Sequence, residues 1–154
     1  MTPTQVKLVQ DSFKNVEPIA AQASDLFYGR LFEIAPEVRS LFPADLSEQK
    51  EKLMSMLGTA VNNLHQVEKI IPAVEELGRR HVGYGVTAEQ YRPVGEALIW
   101  TLEKGLGDAF TPEVKDAWVT TYTTLESVMT KAASDVQPVV AAPAKKGLLA
   151  RMFG

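Results

Sequence analysis

The sequence predicts an all-α fold of six to eight helices, and three observations support this prediction. Apolar residues recur at spacings of three and four along most of the chain, which is the period of an amphipathic helix. No segment shows the strict alternation of apolar and polar residues that is typical of a half-buried strand. Prolines divide the chain into segments of unequal length, unlike the uniform hairpins of an up-down four-helix bundle.

The first two helices have clear boundaries. Thr2 can cap a helix that has Pro3 at its first position, with the side chain of Gln5 reaching back to the cap. The apolar stripe of this helix runs to about Val16. A second apolar stripe follows and stops at Pro36, where the helix must end.

A short segment and a long helix come next. Residues 37–42 precede a proline, so Phe42 is expected at a corner of the chain. Asp45 and Glu48 resemble a capping pair at the start of a long helix. One face of that helix carries Gln49, Leu53, Met56, Leu57, Ala60 and Leu64.

Three further helices are predicted in the second half of the chain. Pro72 opens one that ends at the breaks of Gly83 and Gly85, and residues 87–90 resemble a capping box for the next. That helix is expected to stop near Gly105, since glycine ends helices readily. Thr111 can cap the last helix.

Composition excludes several classes of protein. A length of 154 residues corresponds to one domain, and the absence of cysteine excludes disulfides, zinc–thiolate sites and cysteine nucleophiles. The net charge of −3 argues against nucleic acid as a partner. The chain shows neither a secretory signal pattern nor an apolar run of about 18 residues, so we expect a cytoplasmic protein.

His81 is the candidate metal ligand. The only other histidine, His65, lies sixteen residues away and is interpreted as a surface residue. A non-haem metal site needs several protein ligands, whereas haem iron already has four nitrogen ligands and needs as little as one side chain. From residue types alone, His81 is either a haem ligand or an ordinary histidine of the core or surface.

Several short motifs occur in a distinctive order. They are LFYGRLF at 26–32, APEVRSLF at 35–42, SEQ at 47–49, IPAV at 71–74, RH at 80–81 and YRPVG at 91–95. In this order and spacing they resemble the bacterial single-domain globins, that is, the globin domain of flavohaemoglobins and the short bacterial haemoglobins. The resemblance covers residues 4 to about 134, and it implies a globin fold around haem b (iron protoporphyrin IX).

The resemblance also implies roles for individual residues. His81 matches the proximal iron ligand, and Tyr28 and Gln49 match the residues that hydrogen-bond an iron-bound ligand and so are candidate catalytic residues. Gln49 and Leu53 are four residues apart, so both can face one cavity. The other matches are Phe42 stacked on the haem, Leu53 above the iron, Val86 and Val94 beside the haem, and Tyr91 in the proximal hydrogen-bond group. The Lys52 side chain either reaches a propionate group of the haem or is a solvated surface charge, and the second interpretation is favoured.

One position departs from the pattern. In flavohaemoglobins, an acidic residue of the last helix joins the proximal histidine and tyrosine in a hydrogen-bonded triad. Ala133 stands at that position here, and Glu126 lies two turns earlier, too early to substitute for the acid. The resemblance therefore implies a weaker electronic push on the iron.

The implied function is binding of O2, NO or CO. The favoured chemistry is nitric-oxide dioxygenation, in which a separate flavin or ferredoxin-type reductase reduces the ferric haem again after each turnover. The first alternative is oxygen binding, storage or sensing without turnover. The second alternative is a helical interaction module without haem, which the presence of His81 disfavours.

The chain is divided into a globin domain, 1–137, and a C-terminal stretch, 138–154. This stretch begins as a flexible Pro/Ala linker and ends in a basic amphipathic tip with Lys145, Lys146 and Arg151. Ten residues are too few for a stable isolated helix, so we favour a disordered tip. The alternatives are docking on an anionic membrane, on an acidic groove of a reductase, or on the acidic body of the same chain.

Overall fold

The computed structural model describes residues 1–83 and 88–134, and of residues 81–83 and 88 it describes only the backbone. The described part is helical and contains no strand, which confirms the all-α prediction. Its α-helices are α1 (Pro3–Val16), α2 (Ala20–Ile34), α3 (Ser47–Asn62), α4 (Ile71–Gly83), α5 (Tyr91–Leu106) and α6 (Pro112–Ser134). Short 3₁₀ helices lie between them at Glu17–Ile19, Pro36–Leu41, Leu64–Lys69, Ala88–Gln90 and Gly107–Ala109.

The start of α1 has the predicted cap. The backbone N–H of Gln5 donates to the Thr2 hydroxyl at 3.1 Å, and the backbone N–H of Thr2 donates to Oε1 of Gln5 at 2.9 Å. Two of the N–H groups that a helix start leaves without partners are thereby satisfied.

The predicted capping pair of α3 is wrong. The N-cap residue is Leu46, which has no side chain able to cap the helix. Asp45 lies one residue earlier, where it accepts hydrogen bonds from the backbone N–H and hydroxyl of Ser47. Glu48 instead forms an ion pair with Lys52 along the helix. Asp45 and Glu48 have the spacing of a capping pair, but both lie one residue too early relative to the start of α3.

The other predicted boundaries are largely found. α4 is described as far as Gly83, and α5 ends at Leu106, before Gly107, whose φ of +56° lies in the region that favours glycine. Thr111 accepts a hydrogen bond from the backbone N–H of Val114 at 3.3 Å and so caps α6. The 3₁₀ turn Ala88–Gln90 leads directly into α5, and Gln90, the N-cap of α5, makes no capping bond through its side chain. Thr87 of the predicted capping box lies outside the described residues.

Two hydrophobic clusters form the core. The first contains Phe13 and Trp118, and the Trp118 indole N–H donates to the hydroxyl of buried Ser12 at 2.8 Å. This bond satisfies the one polar group of the largest buried side chain. The second cluster surrounds Tyr28 and Phe42 on α2 and the turn that follows it. The candidate site lies beside this second cluster.

Two glycines allow close helix crossings on the other side of the site. A Cβ atom on Gly78 of α4 would collide with the carbonyl oxygen of Met129 on α6. A Cβ atom on Gly95 of α5 would lie 2.6 Å from the ring of Tyr122 on α6. The absence of a side chain at both positions therefore brings α4 and α5 onto α6.

The C-terminal stretch predicted for residues 138–154 lies outside the described residues, as does Val86. Within residues 1–83 and 88–134, no helix is both long and apolar enough to cross a membrane.

Candidate functional site

A cavity opens among the helices α2 to α6. Its volume is about 160 Å³. Side chains from all five helices line it, and most of them are apolar. The apolar lining includes Leu31, Val38, Leu53, Leu77, Val94 and Leu98.

Phe42 and Tyr28 form one end of the cavity. Phe42 directly follows the 3₁₀ helix Pro36–Leu41, and its ring lies edge-on to Tyr28 with centroids 5.7 Å apart. The ring of Phe32 also contacts the ring of Phe42, and their centroids are 5.6 Å apart. The guanidinium of Arg39 donates to the backbone carbonyl of Pro43 at 3.0 Å and so holds the corner in place. The predicted corner position of Phe42 is therefore found.

Tyr28 lines the cavity, and Gln49 is buried beside it, just behind the cavity wall. Tyr28 is 2% exposed and Gln49 is 1% exposed. Within the described part of the chain, the Tyr28 hydroxyl and both polar atoms of the Gln49 amide have no protein hydrogen-bond partner. Each such group costs about 1–3 kcal/mol when it is left unsatisfied. A polar ligand in the cavity would remove this cost.

The Tyr28 phenol stays protonated at neutral pH. Burial raises its pKa well above the ordinary value, and the neighbouring Gln49 amide lowers it only in part. The two side chains are therefore close together, although no hydrogen bond of good geometry joins them. A protonated phenol in this position can donate a hydrogen bond to a ligand.

Leu53 and Gln49 are placed at different depths. Leu53 lines the cavity, whereas Gln49, one turn earlier on α3, is buried beside Tyr28 and is not among the lining residues. The spacing of four residues predicted that Gln49 and Leu53 lie on the same side of α3. It could not predict which of the two side chains reaches the cavity.

α4 forms the opposite wall through Val74 and Leu77. His81 follows Leu77 by four residues and lies in the last turn of this helix, which ends at Gly83. Its side chain lies outside the described residues.

Tyr91 and Val94 line the cavity from α5, as their predicted roles require. The Tyr122 hydroxyl on α6 donates to the backbone carbonyl of Tyr91. Burial and the negative charge of Glu126 together raise the pKa of Tyr91 to about 12. Burial, followed by the charge of Glu126, also raises the pKa of Tyr122.

Tyr122 and Glu126 are site residues that were not predicted from the sequence. Both line the cavity, together with Leu125 and Met129. Whether Glu126 can replace the acidic residue of the proximal group stays a prediction. The crossing of α5 on α6 brings this carboxylate to the wall near Tyr91. Tyr122 and Glu126 are four residues apart on one helix, and that spacing was the available signal.

Two remaining predictions concern the surface. Lys52 lies 3.2 Å from Glu48 in an ion pair along α3. His65 is exposed, as predicted, with its Nδ1 3.4 Å from the side-chain amide of Gln10. Residues 1–80 and 89–134, whose side chains are described, contain no cluster of His, Asp and Glu suited to a metal ion.

Comparisons with known proteins agree with this architecture. The globin family model matches residues 25–129. Neuroglobin from Danio rerio is 30% identical over 138 residues, which cover 80% of this chain and 87% of that protein. A flavohemoprotein from Bacillus subtilis is 32% identical over 118 residues, which cover 71% of this chain but only 29% of that longer protein.

A solved structure shares the fold. It is an engineered carbene transferase, RmaNOD from Rhodothermus marinus, whose parent protein carries a provisional assignment as a nitric oxide dioxygenase. Its TM-score is 0.78 at 25% identity, and the alignment covers 88% of this chain and 94% of that one. Because the family model matches more than half of the chain and the helices form the same fold, this chain belongs to the globin family.

Proposed function

We propose that this globin binds one haem b in the cavity and that His81 would hold its iron. Membership of the globin family implies haem binding. The observation that supports this site best is the apolar cavity with unsatisfied buried polar atoms of Tyr28 and Gln49 at one end. An apolar macrocycle would fit against Phe42, Leu53 and Val94.

The position of residue 81 in α4 supports its proposed role. Val74 and Leu77 line the cavity, and residue 81 continues their row at helical spacing. Iron that is bound by four porphyrin nitrogens needs as little as one protein ligand, so a single histidine is sufficient.

A bound haem would supply iron that binds O2, NO or CO and exchanges electrons. The chain's own residues act around it. Tyr28, which lines the cavity, would donate a hydrogen bond to a polar diatomic ligand, and we propose that the neighbouring Gln49 amide turns toward the bound ligand and donates as well. A hydrogen bond to a charged group contributes roughly 1.5–3 kcal/mol. Leu53 and Phe42 keep water from this end of the cavity, since both are buried and apolar.

For the chemistry, we propose nitric-oxide dioxygenation, in which O2 and NO are converted to nitrate. The similarity to a flavohemoprotein and to RmaNOD supports this choice. Electrons would come from a separate flavin or ferredoxin-type reductase. A cytoplasmic location and the division at residue 137 stay predictions.

Oxygen binding without turnover is the second candidate. The match to neuroglobin extends over 87% of that protein, so a globin unit of this size is almost the whole of that relative. This observation favours a function that the globin carries out by itself.

The test is NO consumption by the purified full chain with haem, oxygen and an excess of a supplied flavin reductase. Dioxygenation predicts repeated turnover with one nitrate formed for each NO. A Tyr28→Phe variant should turn over more slowly. Consumption that stops after one equivalent of NO, with the reductase still active, would reject turnover and leave binding as the function.

A further inference from the structure

One ion pair joins two helices beside the candidate site. Nζ of Lys50 on α3 lies 2.7 Å from Oδ1 of Asp25 on α2. Other ion pairs of the described chain, such as Lys7–Asp11, join residues three or four positions apart on one helix. The pair of Lys50 and Asp25 therefore spans a gap between elements.

This ion pair lies next to the two buried polar side chains of the cavity. Asp25 precedes Tyr28 by one turn of α2, and Lys50 directly follows Gln49 in the first turn of α3. The side chain of Lys50 is 31% exposed and that of Asp25 is 65% exposed. The pair is thus at the rim of the α2–α3 contact, whereas Tyr28 and Gln49 lie inside it.

One side chain restrains the start of α3. The N-cap residue Leu46 provides no side-chain cap, and Asp45 accepts a hydrogen bond from the backbone N–H of Ser47, the first residue of the helix. The side chain of the N-cap residue thus bonds none of the other N–H groups that a helix start leaves without partners, and such groups favour fraying. Among the described residues, the polar atoms of the Gln49 side chain have no partner that would hold the amide in place.

We propose that Asp25 and Lys50 are positioning residues that tether the start of α3 to α2 and thereby hold Gln49 beside Tyr28. The inference rests on the proposed function, because the pair matters for ligand binding only if Tyr28 and Gln49 contact the ligand. Loss of this ion pair increases the fraction of molecules in which Gln49 has moved away from Tyr28. A partly exposed ion pair changes such an equilibrium by about two- to fivefold.

The first measurement is hydrogen exchange of the amides of residues 47–53 in the purified full chain. Lys50→Met keeps most of the apolar stem but removes the charge, and it should accelerate this exchange by about two- to fivefold. Asp25→Asn should have the same effect. The control is Lys7→Met on α1, which removes an ion pair of the same length, 2.7 Å, far from the cavity along the chain.

The second measurement is O2 dissociation from the haem-loaded variants, together with the infrared stretching frequency of bound CO. Lys50→Met should release O2 about two- to fivefold faster and shift the CO band, whereas Lys7→Met should do neither. The wild-type protein should approach the Lys50→Met values at about 0.5 M salt, where the Debye length falls to a few ångströms. The reversed pair, Asp25→Lys with Lys50→Asp, should recover part of the wild-type exchange rate.

The outcomes separate the tether from the function. Equal exchange of residues 47–53 in Lys50→Met and Lys7→Met, with unchanged thermal midpoints, overturns the tether. Faster exchange with no change in O2 release or in the CO band overturns the positioning role. A wild-type chain that binds no haem rejects the proposed function, while the exchange experiment still decides whether the tether exists.

Discussion

At the scale of residues, the cavity keeps polar atoms that folding alone would not favour. The Tyr28 hydroxyl and the Gln49 amide are buried without protein partners in the described part of the chain. Phenylalanine at position 28 would fill nearly the same space without this desolvation cost. A group that costs stability and faces a cavity indicates a role in ligand binding.

Replacing Tyr28 with phenylalanine should therefore weaken ligand binding without loss of stability. A hydrogen bond of roughly 1.5–3 kcal/mol to a partly charged ligand corresponds to O2 release on the order of 10- to 150-fold faster. Stopped-flow dissociation measures this rate, and Ser24→Ala, a change at another buried hydroxyl of α2, is the control. Release within about twofold of wild type would show that the hydroxyl does not contact the ligand.

The buried phenols also predict a loss of stability at alkaline pH. The pKa of Tyr91 rises from 10.0 to about 12, and those of Tyr28 and Tyr122 are raised further. Between pH 10 and the raised pKa, the unfolded chain has lost protons that the folded chain retains. Stability is thus complete below about pH 10 and then falls as pH rises, by about 1.4 kcal/mol per pH unit for each phenol.

Urea unfolding between pH 8 and 12 measures this effect. The free energy of unfolding of Tyr28→Phe should fall less steeply above pH 10 than that of the wild type, by the contribution of one phenol. The difference between the two slopes isolates Tyr28 from the lysines, which titrate in the same pH range in both proteins. An identical slope in wild type and variant would contradict the assignment.

At the scale of elements, the sequence predicted helix positions better than the details of helix starts. The stripe of α1 and its Thr2 cap were predictable because both depend on neighbours in sequence. The start of α3 was not, because the spacing of three between Asp45 and Glu48 does not show whether Asp45 is the N-cap residue or the residue before it. The place of Glu126 also needed tertiary information, since the α5–α6 crossing decides which part of α6 faces the cavity.

The close crossing of α4 on α6 can be tested with a pair of glycine variants. Gly78→Ala should destabilise the protein by about 1–3 kcal/mol, because the new methyl group meets the Met129 backbone, which cannot move aside cheaply. Gly29→Ala, within α2, meets no atom within 4 Å and should stabilise the protein by about 0.5–1 kcal/mol. Chemical denaturation measures both changes. A neutral Gly78→Ala variant would show that the helices are not in close contact there.

At the scale of the whole molecule, the order of short motifs predicted the fold, and the comparisons confirmed it. The candidate site was predictable only in part. The structure brings Tyr28, Phe42, Leu53, Tyr91 and Val94 to one cavity and places Gln49 just behind its wall. Tyr122 and Glu126 join them because long-range packing, which a linear pattern does not contain, turns that part of α6 toward the cavity.

The central claim is that the cavity holds haem through His81. It is tested most directly by the visible spectrum of the ferrous full-length protein, compared with His81→Ala and with His65→Ala as a control at the exposed histidine. We expect one haem per wild-type chain and the same spectrum for His65→Ala. His81→Ala should lose the histidine-bound ferrous band and regain it when imidazole is added. A His81→Ala spectrum identical to wild type without imidazole would contradict the account.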